Sequence, residues 1–117
     1  MMYCTIIYRM KSNRSDYKKI EGFEWDEGNS DKNWIKHNVH YKEAEEVFLN
    51  SPRVLLPDTE HSLIEKRLTL LGFTDKGRKL IIIFTVRNNK FRVISARDMN
   101  KKERSTYEKT TKNYTAV

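Results

Sequence analysis

The chain has 117 residues and a mass of 14.0 kDa, which gives room for one domain with a modest core and not for two. Its 23 Lys and Arg against 16 Asp and Glu give a net charge of +7, which favours a polyanionic partner or simply keeps the domain soluble. Because Cys4 is the single cysteine, an internal disulfide is excluded. The sequence also has no Cys/His spacing typical of a zinc site and no apolar run long enough to span a membrane. We therefore expect a cytoplasmic protein that contacts no membrane.

The first 20 residues are expected to form a loosely attached N-terminal extension. Residues 11–16 are polar and rich in turn formers, so a strand before them would be separated from the body of the protein. Residues 21–117 then form the single domain. Its aromatic residues 23–25 predict a short first strand.

Two helices are predicted to follow this strand. Residues 31–37 form a short helix, and Asn38 stands where a left-handed residue would end it. Residues 41–50 form a second helix, which ends before Pro52. Its apolar stripe, at helical spacing, consists of Tyr41, Ala44, Val47 and Phe48. That stripe predicts a buried helix face rather than a cofactor site.

Four strands and a last helix complete the domain. The strands are predicted at residues 53–56, 66–73, 80–86 and 91–97, with tight turns at 74–77 and 87–90. A capping box of Asn100 and Glu103 starts a helix that runs to about residue 109, before a frayed tail. The order β-α-α-β-β-β-β-α predicts an α+β fold. In it, helices cover one face of a small antiparallel sheet and leave the other face for a ligand.

Lys36 and His37 end the first predicted helix and are candidates for chemistry. A histidine can transfer protons near neutral pH, and a neighbouring lysine can bind phosphate. The alternative is that both side chains interact with the last helix carbonyls. His40 suggests a metal-binding histidine pair, but no third ligand accompanies it.

Three arginines, Arg67, Arg92 and Arg97, fall on predicted strands, where a buried charge needs a partner. Each either pairs with a carboxylate such as Asp26 or Glu103, or binds phosphate through bidentate hydrogen bonds. In a regular strand Arg92 and Arg97 point to opposite faces. Either Arg97 lies past the strand end, or a bulge changes the direction of its side chain, or only one of the two arginines faces the ligand. We expect Arg97 at the strand end, pointing toward the start of the last helix.

Several short motifs occur together, in a fixed order, between residue 23 and about residue 108. They are Phe23-Glu24-Trp25-Asp26, Asn33-x-x-Lys36-His37-x-Val39, Ala44-x-x-Val47-Phe48, Arg67-x-x-x-x-Gly72, Gly77-Arg78-x-Leu80, Arg92-x-Ile94-Ser95-Ala96-Arg97 and Glu103-Arg104-x-x-Tyr107. Together they resemble the BrnT family of bacterial toxins. The sequence departs from the family pattern at Asn38, usually Gly, at His40, usually a small hydroxyl residue, and in the N-terminal extension.

The resemblance implies a RelE-like ribonuclease toxin that acts in stress responses and uses neither a metal nor another cofactor. The RNA 2′-hydroxyl would attack the adjacent phosphorus. Arg67, Arg92 and Arg97 would hold the phosphate, and Lys36 or His37 would assist proton transfer.

The resemblance also implies a partner, an antitoxin of the BrnA kind with a ribbon-helix-helix part. The complex would repress its own operon, so DNA would be contacted only through that complex. The alternative function is a nucleic-acid-binding or partner-binding module without turnover, or an inactive toxin copy.

Overall fold

The computed structural model describes residues 5–6, 20–57 and 66–113, and this part forms an antiparallel sheet with helices on both of its faces. The strands are β1 (Thr5–Ile6), β2 (Val54–Pro57), β3 (Leu68–Phe73), β4 (Lys79–Arg87) and β5 (Lys90–Asp98), which lie in this order across the sheet. The helices are α1 (Lys32–His37), α2 (Tyr41–Leu49) and α3 (Lys101–Thr111). The predicted α+β class and antiparallel sheet are confirmed.

Local sequence signals explain where the helices begin and end. A π-helical turn, Glu27–Asp31, leads directly into α1, and Asn38 ends α1 with the left-handed φ of 55° that was predicted. His40 starts α2, where its Nδ1 accepts a hydrogen bond from the Lys42 N–H at 3.1 Å. The ring nitrogen thus serves as the helix cap at a position where the similar family usually has a hydroxyl.

The hairpin between β4 and β5 also follows from local sequence, because Asn88 and Asn89 adopt φ angles of 54° and 62°. Two consecutive left-handed residues are the geometry of the two-residue turn that was predicted there. Within the hairpin, Ile83 pairs with Ser95 and Phe84 pairs with Val93. The intervening Ile94 therefore forms a β-bulge in β5.

The larger core cluster lies between α2 and one face of the sheet. Its buried residues are Val39, Ala44, Val47, Leu55, Leu70, Leu80, Ile82, Phe84, Val93 and Ala96. The helix comes close to β3 at Gly72, where a Cβ would lie only 2.8 Å from Val47 Cγ1. The predicted apolar stripe of α2 is therefore part of the core.

The opposite face of the sheet carries a second core cluster, under α3. It consists of Val54, Leu71, Ile81, Met99 and Tyr107. Neighbouring strand residues such as Leu70 and Leu71 belong to different clusters, as the alternation of a strand requires. The prediction that the helices pack on one face was wrong, because β3 and β4 are apolar on both faces and α3 covers part of the second.

The first strand also differs from its prediction. Phe23 makes only an isolated bridge with Phe91, and residues 24–25 are not strand. Instead Thr5 and Ile6, inside the predicted extension, pair with Leu55 and Val54 of β2. The rest of the predicted extension before residue 20, the loop at 59–62 and the tail from 114 lie outside the described residues.

Buried asparagines attach the π-helical turn and α1 to the outer edge of β5. Asn29 donates to the Val93 carbonyl at 2.9 Å, and Asn33 accepts from the Ala96 N–H at 3.0 Å. Asn33 also donates to the Asn29 carbonyl at 2.8 Å. Backbone groups at this edge are thereby satisfied by side chains, which closes it to pairing with another strand.

Candidate functional site

Arg92 and Arg97 lie on the same face of the sheet because of the bulge at Ile94. Arg92 pairs with Thr85 and Arg97 with Ile81, and these two partners are four residues apart on the regular strand β4. The simple alternation that placed the arginines on opposite faces therefore does not hold. Arg97 lies inside β5, one residue before its end, and points toward the start of α3 as expected.

Arg92 forms ion pairs with two carboxylates that precede the π-helical turn. Its Nη1 donates to Asp26 Oδ2 at 2.9 Å and to Glu24 Oε1 at 3.2 Å. The hydrogen bond from Arg92, followed by one from the Asn29 backbone, lowers the pKa of Asp26. Asp26 therefore caps the helical turn and also pairs with the arginine.

Arg97 is held in the same way by the first turn of α3. Its Nη1 and Nη2 donate to Glu103 Oε1 and Oε2, both at 2.9 Å. Burial opposes ionisation of Glu103, but hydrogen bonds from Arg97 and from the Asn100 backbone lower its pKa overall. Glu103 also completes the predicted capping box with Asn100. Of the two alternatives left open for Arg92 and Arg97, the structure shows the pairing with Asp26 and Glu103, and phosphate binding by them stays a prediction.

Arg78 connects α1, α2 and the end of β5, although the sequence analysis gave it no role. It donates to Asp98 from Nε at 2.7 Å and to Glu43 from Nη1 at 3.2 Å. It also donates to the carbonyls of Asn38 at 2.9 Å and His37 at 3.2 Å. The one sequence signal for this residue was its place in the Gly77-Arg78-x-Leu80 motif.

His37 is half-buried at the end of α1, with its backbone carbonyl bound to Arg78. Hydrogen bonding by Arg78 is the main cause of the lowered pKa of Asp98, and the charge of His37 adds to it. The His37 carbonyl and the Asp98 carboxylate share Arg78 as their donor, and Asp98 follows Arg97 at the end of β5. This position is compatible with either predicted role of His37, proton transfer or interaction with the helix terminus.

The positive charges of Lys36 and Arg67 both act on Lys32, a residue that the sequence did not single out. Lys36 lies one turn after Lys32 on α1, and Arg67 directly precedes β3. Burial is the main cause that lowers the pKa of Lys32, and the positive charges of Lys36 and Arg67 lower it further. The signal that could have revealed Lys32 is its i,i+4 spacing from Lys36.

Other features of the described ranges favour no second site. A shallow depression is lined by Trp25, Asp26, Glu27, Ser30 and Asp31, whose acidic side chains would repel a phosphate. Within residues 20–57 and 66–113, no group of three or more His, Cys, Asp or Glu side chains could hold a metal ion. The helices in those ranges are also too short or too polar to cross a lipid bilayer.

The described residues form a basic α+β domain with lysines and a histidine on α1 and with arginines on β5 and directly before β3. Comparison with protein families specifies its class, because the model for the ribonuclease toxin BrnT of type II toxin–antitoxin systems matches residues 25–103. That match spans well over half of the chain and includes all five predicted site residues. The chain belongs to the BrnT family, as its motifs indicated. A search of curated proteins gave no significant match.

Proposed function

We propose that this protein is a metal-independent endoribonuclease toxin that cleaves RNA in the cytoplasm and thereby inhibits translation and growth. The family match over residues 25–103 is the observation that carries this proposal. The placement of Lys36, His37, Arg67, Arg92 and Arg97 on α1 and around β3 and β5 supports it. The net charge of +7 favours an RNA substrate as well.

The proposed reaction needs only protein side chains. The RNA 2′-oxygen forms a bond to the adjacent phosphorus while the bond from phosphorus to the 5′-oxygen breaks. A base accepts the 2′-hydroxyl proton, and an acid donates a proton to the leaving 5′-oxygen. Lys36 and His37 are the candidates for these transfers, with their individual roles left open.

Arginines in this mechanism would neutralise the charge that builds on the phosphate. The Arg97 side chain is 39% exposed and that of Arg92 is 18% exposed, so a phosphate can reach Arg97 more readily. Their carboxylate partners fix the guanidinium groups in position before substrate arrives. The proposed RelE-like topology would place the scissile phosphate over the face of β5 that carries both arginines.

Cleavage should continue in excess chelator, because the proposed catalytic groups are all side chains. The purified protein is incubated with a synthetic RNA and excess EDTA, and products are followed by gel electrophoresis. DNA of the same sequence is the matched control and should stay intact, since it lacks the 2′-hydroxyl nucleophile. Activity that disappears with EDTA and returns with a divalent ion would contradict the metal-independent mechanism.

A type II system pairs its toxin with an antitoxin, and we propose a BrnA-like partner whose ribbon-helix-helix part binds operon DNA. The antitoxin would cover the basic surface around the candidate site residues with an acidic segment, and the assembly would contain two copies of each protein. Docking by strand addition at β5 is disfavoured, because Asn29 and Asn33 occupy that edge.

Co-expression with the product of the neighbouring gene tests the proposed partner. We expect the two proteins to co-purify and the complex to lack RNA cleavage, which returns when the toxin is separated. The complex mass gives the stoichiometry. A toxin-gene product that purifies alone, does not arrest growth and binds no neighbour would contradict the proposal.

One observation favours a second function, an RNA-binding module without turnover. Arg92 and Arg97 are both already paired with carboxylates, as purely structural arginines would be. Such a module would retain RNA in the chelator experiment but would release no cleavage products over time.

A further inference from the structure

Lys32 and Lys36 lie on a helix that is fixed against the sheet. Asn33, between them, accepts from the Ala96 N–H at 3.0 Å, and Asn29 donates to Val93 at 2.9 Å. These buried hydrogen bonds set the position of α1 along β5. Because residues at i and i+4 lie on one side of a helix, the two lysines share one flank of α1.

Among the described residues, no carboxylate forms an ion pair with the two lysines on this flank. Arg78, Lys79, Arg92 and Arg97 each form an ion pair with an acidic residue. Neither Lys32 nor Lys36 has such a pair with any residue in the described ranges, although Lys32 is half-buried. Both burial and the neighbouring charges of Lys36 and Arg67 oppose the charged form of Lys32.

The grouping of like charges is unfavourable for the fold alone, so a bound anion would offset its cost. Residues at i and i+4 on a helix have Cβ atoms about 5–6 Å apart, which suits neighbouring oxygens of a sugar–phosphate backbone. Lysine is a compact charge with three donors and can contact such oxygens without fixed geometry. The anion that fits an extended basic flank next to β5 is a phosphate of single-stranded RNA.

We propose that Lys32 is a phosphate-binding residue that, with Lys36 on the same flank, positions the RNA backbone along α1. This inference rests on the proposed ribonuclease function and adds a binding contact to it. Lys32 takes no part in proton transfer, and its contribution is to the grip on the strand. Its removal should weaken RNA binding rather than alter the chemical step.

The test measures binding of a fully 2′-O-methylated single-stranded RNA, which cannot be cleaved by 2′-hydroxyl attack. Lys32→Gln should bind about fivefold more weakly than wild type at 0.1 M salt, with a log–log salt slope smaller by about 0.7. Lys32→Arg should retain the wild-type slope. The matched control is Lys42→Gln, which removes the same charge from an exposed position on α2.

Equal losses in Lys32→Gln and Lys42→Gln would overturn the proposal, because they would reflect net charge alone. A melting temperature well below wild type for Lys32→Gln would also overturn it, since removal of an uncompensated charge should not destabilise the fold. Cleavage of unmodified RNA by wild type is measured in parallel. If wild type cleaves RNA and Lys32→Gln binds RNA as well as wild type does, only this inference is contradicted. If RNA binding depends on Lys32 but wild type does not cleave RNA, only the ribonuclease function is contradicted.

Discussion

Arg97→Ala should reduce RNA cleavage about 100-fold, the scale expected when one preorganised donor to the developing charge is lost. Glu103→Gln should reduce it no more than a few-fold, because Arg97 is then still present. Gln at this position can still accept the Asn100 N–H, so the capping box that starts α3 survives. The two variants thus distinguish the effect of losing the arginine from the effect of losing its ion pair. Initial cleavage rates at saturating RNA are measured for both.

Arg92 allows the same comparison, because its partner Asp26 also caps a helical turn. Arg92→Ala should lose cleavage while Asp26→Asn, which can still cap Asn29, should retain most of it. Arg67→Ala completes the series. If each arginine variant and its partner variant lose activity equally, and melt earlier by the same amount, the arginines are structural pair members and the phosphate must be held elsewhere.

The elements that sequence predicted well are those specified by neighbouring residues. Asn88 and Asn89 fix their turn through their own left-handed conformations, and Asn100 with Glu103 fixes the start of α3. The apolar residues of α2 recur with the period of an α-helix, so its buried face could be identified without knowledge of the sheet against which it packs.

Failures arose where the outcome depends on distant parts of the chain. The bulge at Ile94 reverses the alternation of β5, and no local residue announces it. The placement of α3 was open to a better prediction, because Leu70-Leu71 and Ile81-Ile82 are apolar on both sides of their strands. Two apolar faces need two covering layers.

The ion pairs of the candidate site were predicted only in part, again because they depend on distant parts of the chain. Residue type indicated that strand arginines need carboxylates, and Asp26 and Glu103 were the partners found. Which charges form ion pairs, and with which residues, could not be read from sequence, because it depends on how the helices lie against the sheet. Lys32 and Arg78 were therefore missed, although one lies four residues from a predicted site residue and the other within a recognised motif.

Arg78→Ala should lower the free energy of unfolding by about 2 kcal/mol, because it removes charge-assisted hydrogen bonds to three elements, of which those to Glu43 and to the His37 carbonyl are partly buried. The guanidinium joins Glu43 on α2, Asp98 on β5 and the carbonyl at the end of α1, with a side chain only 26% exposed. The loss is measured by chemical denaturation at neutral pH. Lys76→Ala, at an exposed position in the same β3–β4 turn, is the matched control and should change stability by less than about 0.5 kcal/mol.

The pH dependence of stability provides an independent check of this connection. Hydrogen bonding by Arg78 holds the pKa of Asp98 below its ordinary value of 3.8. A carboxyl with a lowered folded-state pKa stabilises the protein above that ordinary value, and its contribution is lost as the pH falls toward the folded pKa. Wild type should therefore lose stability more steeply than Arg78→Ala as the pH falls below about 4. Two outcomes together would show that Arg78 does not hold these elements together. One is that the stability of wild type and of Arg78→Ala falls with pH in parallel, and the other is that Arg78→Ala lowers the free energy of unfolding at neutral pH no more than Lys76→Ala does.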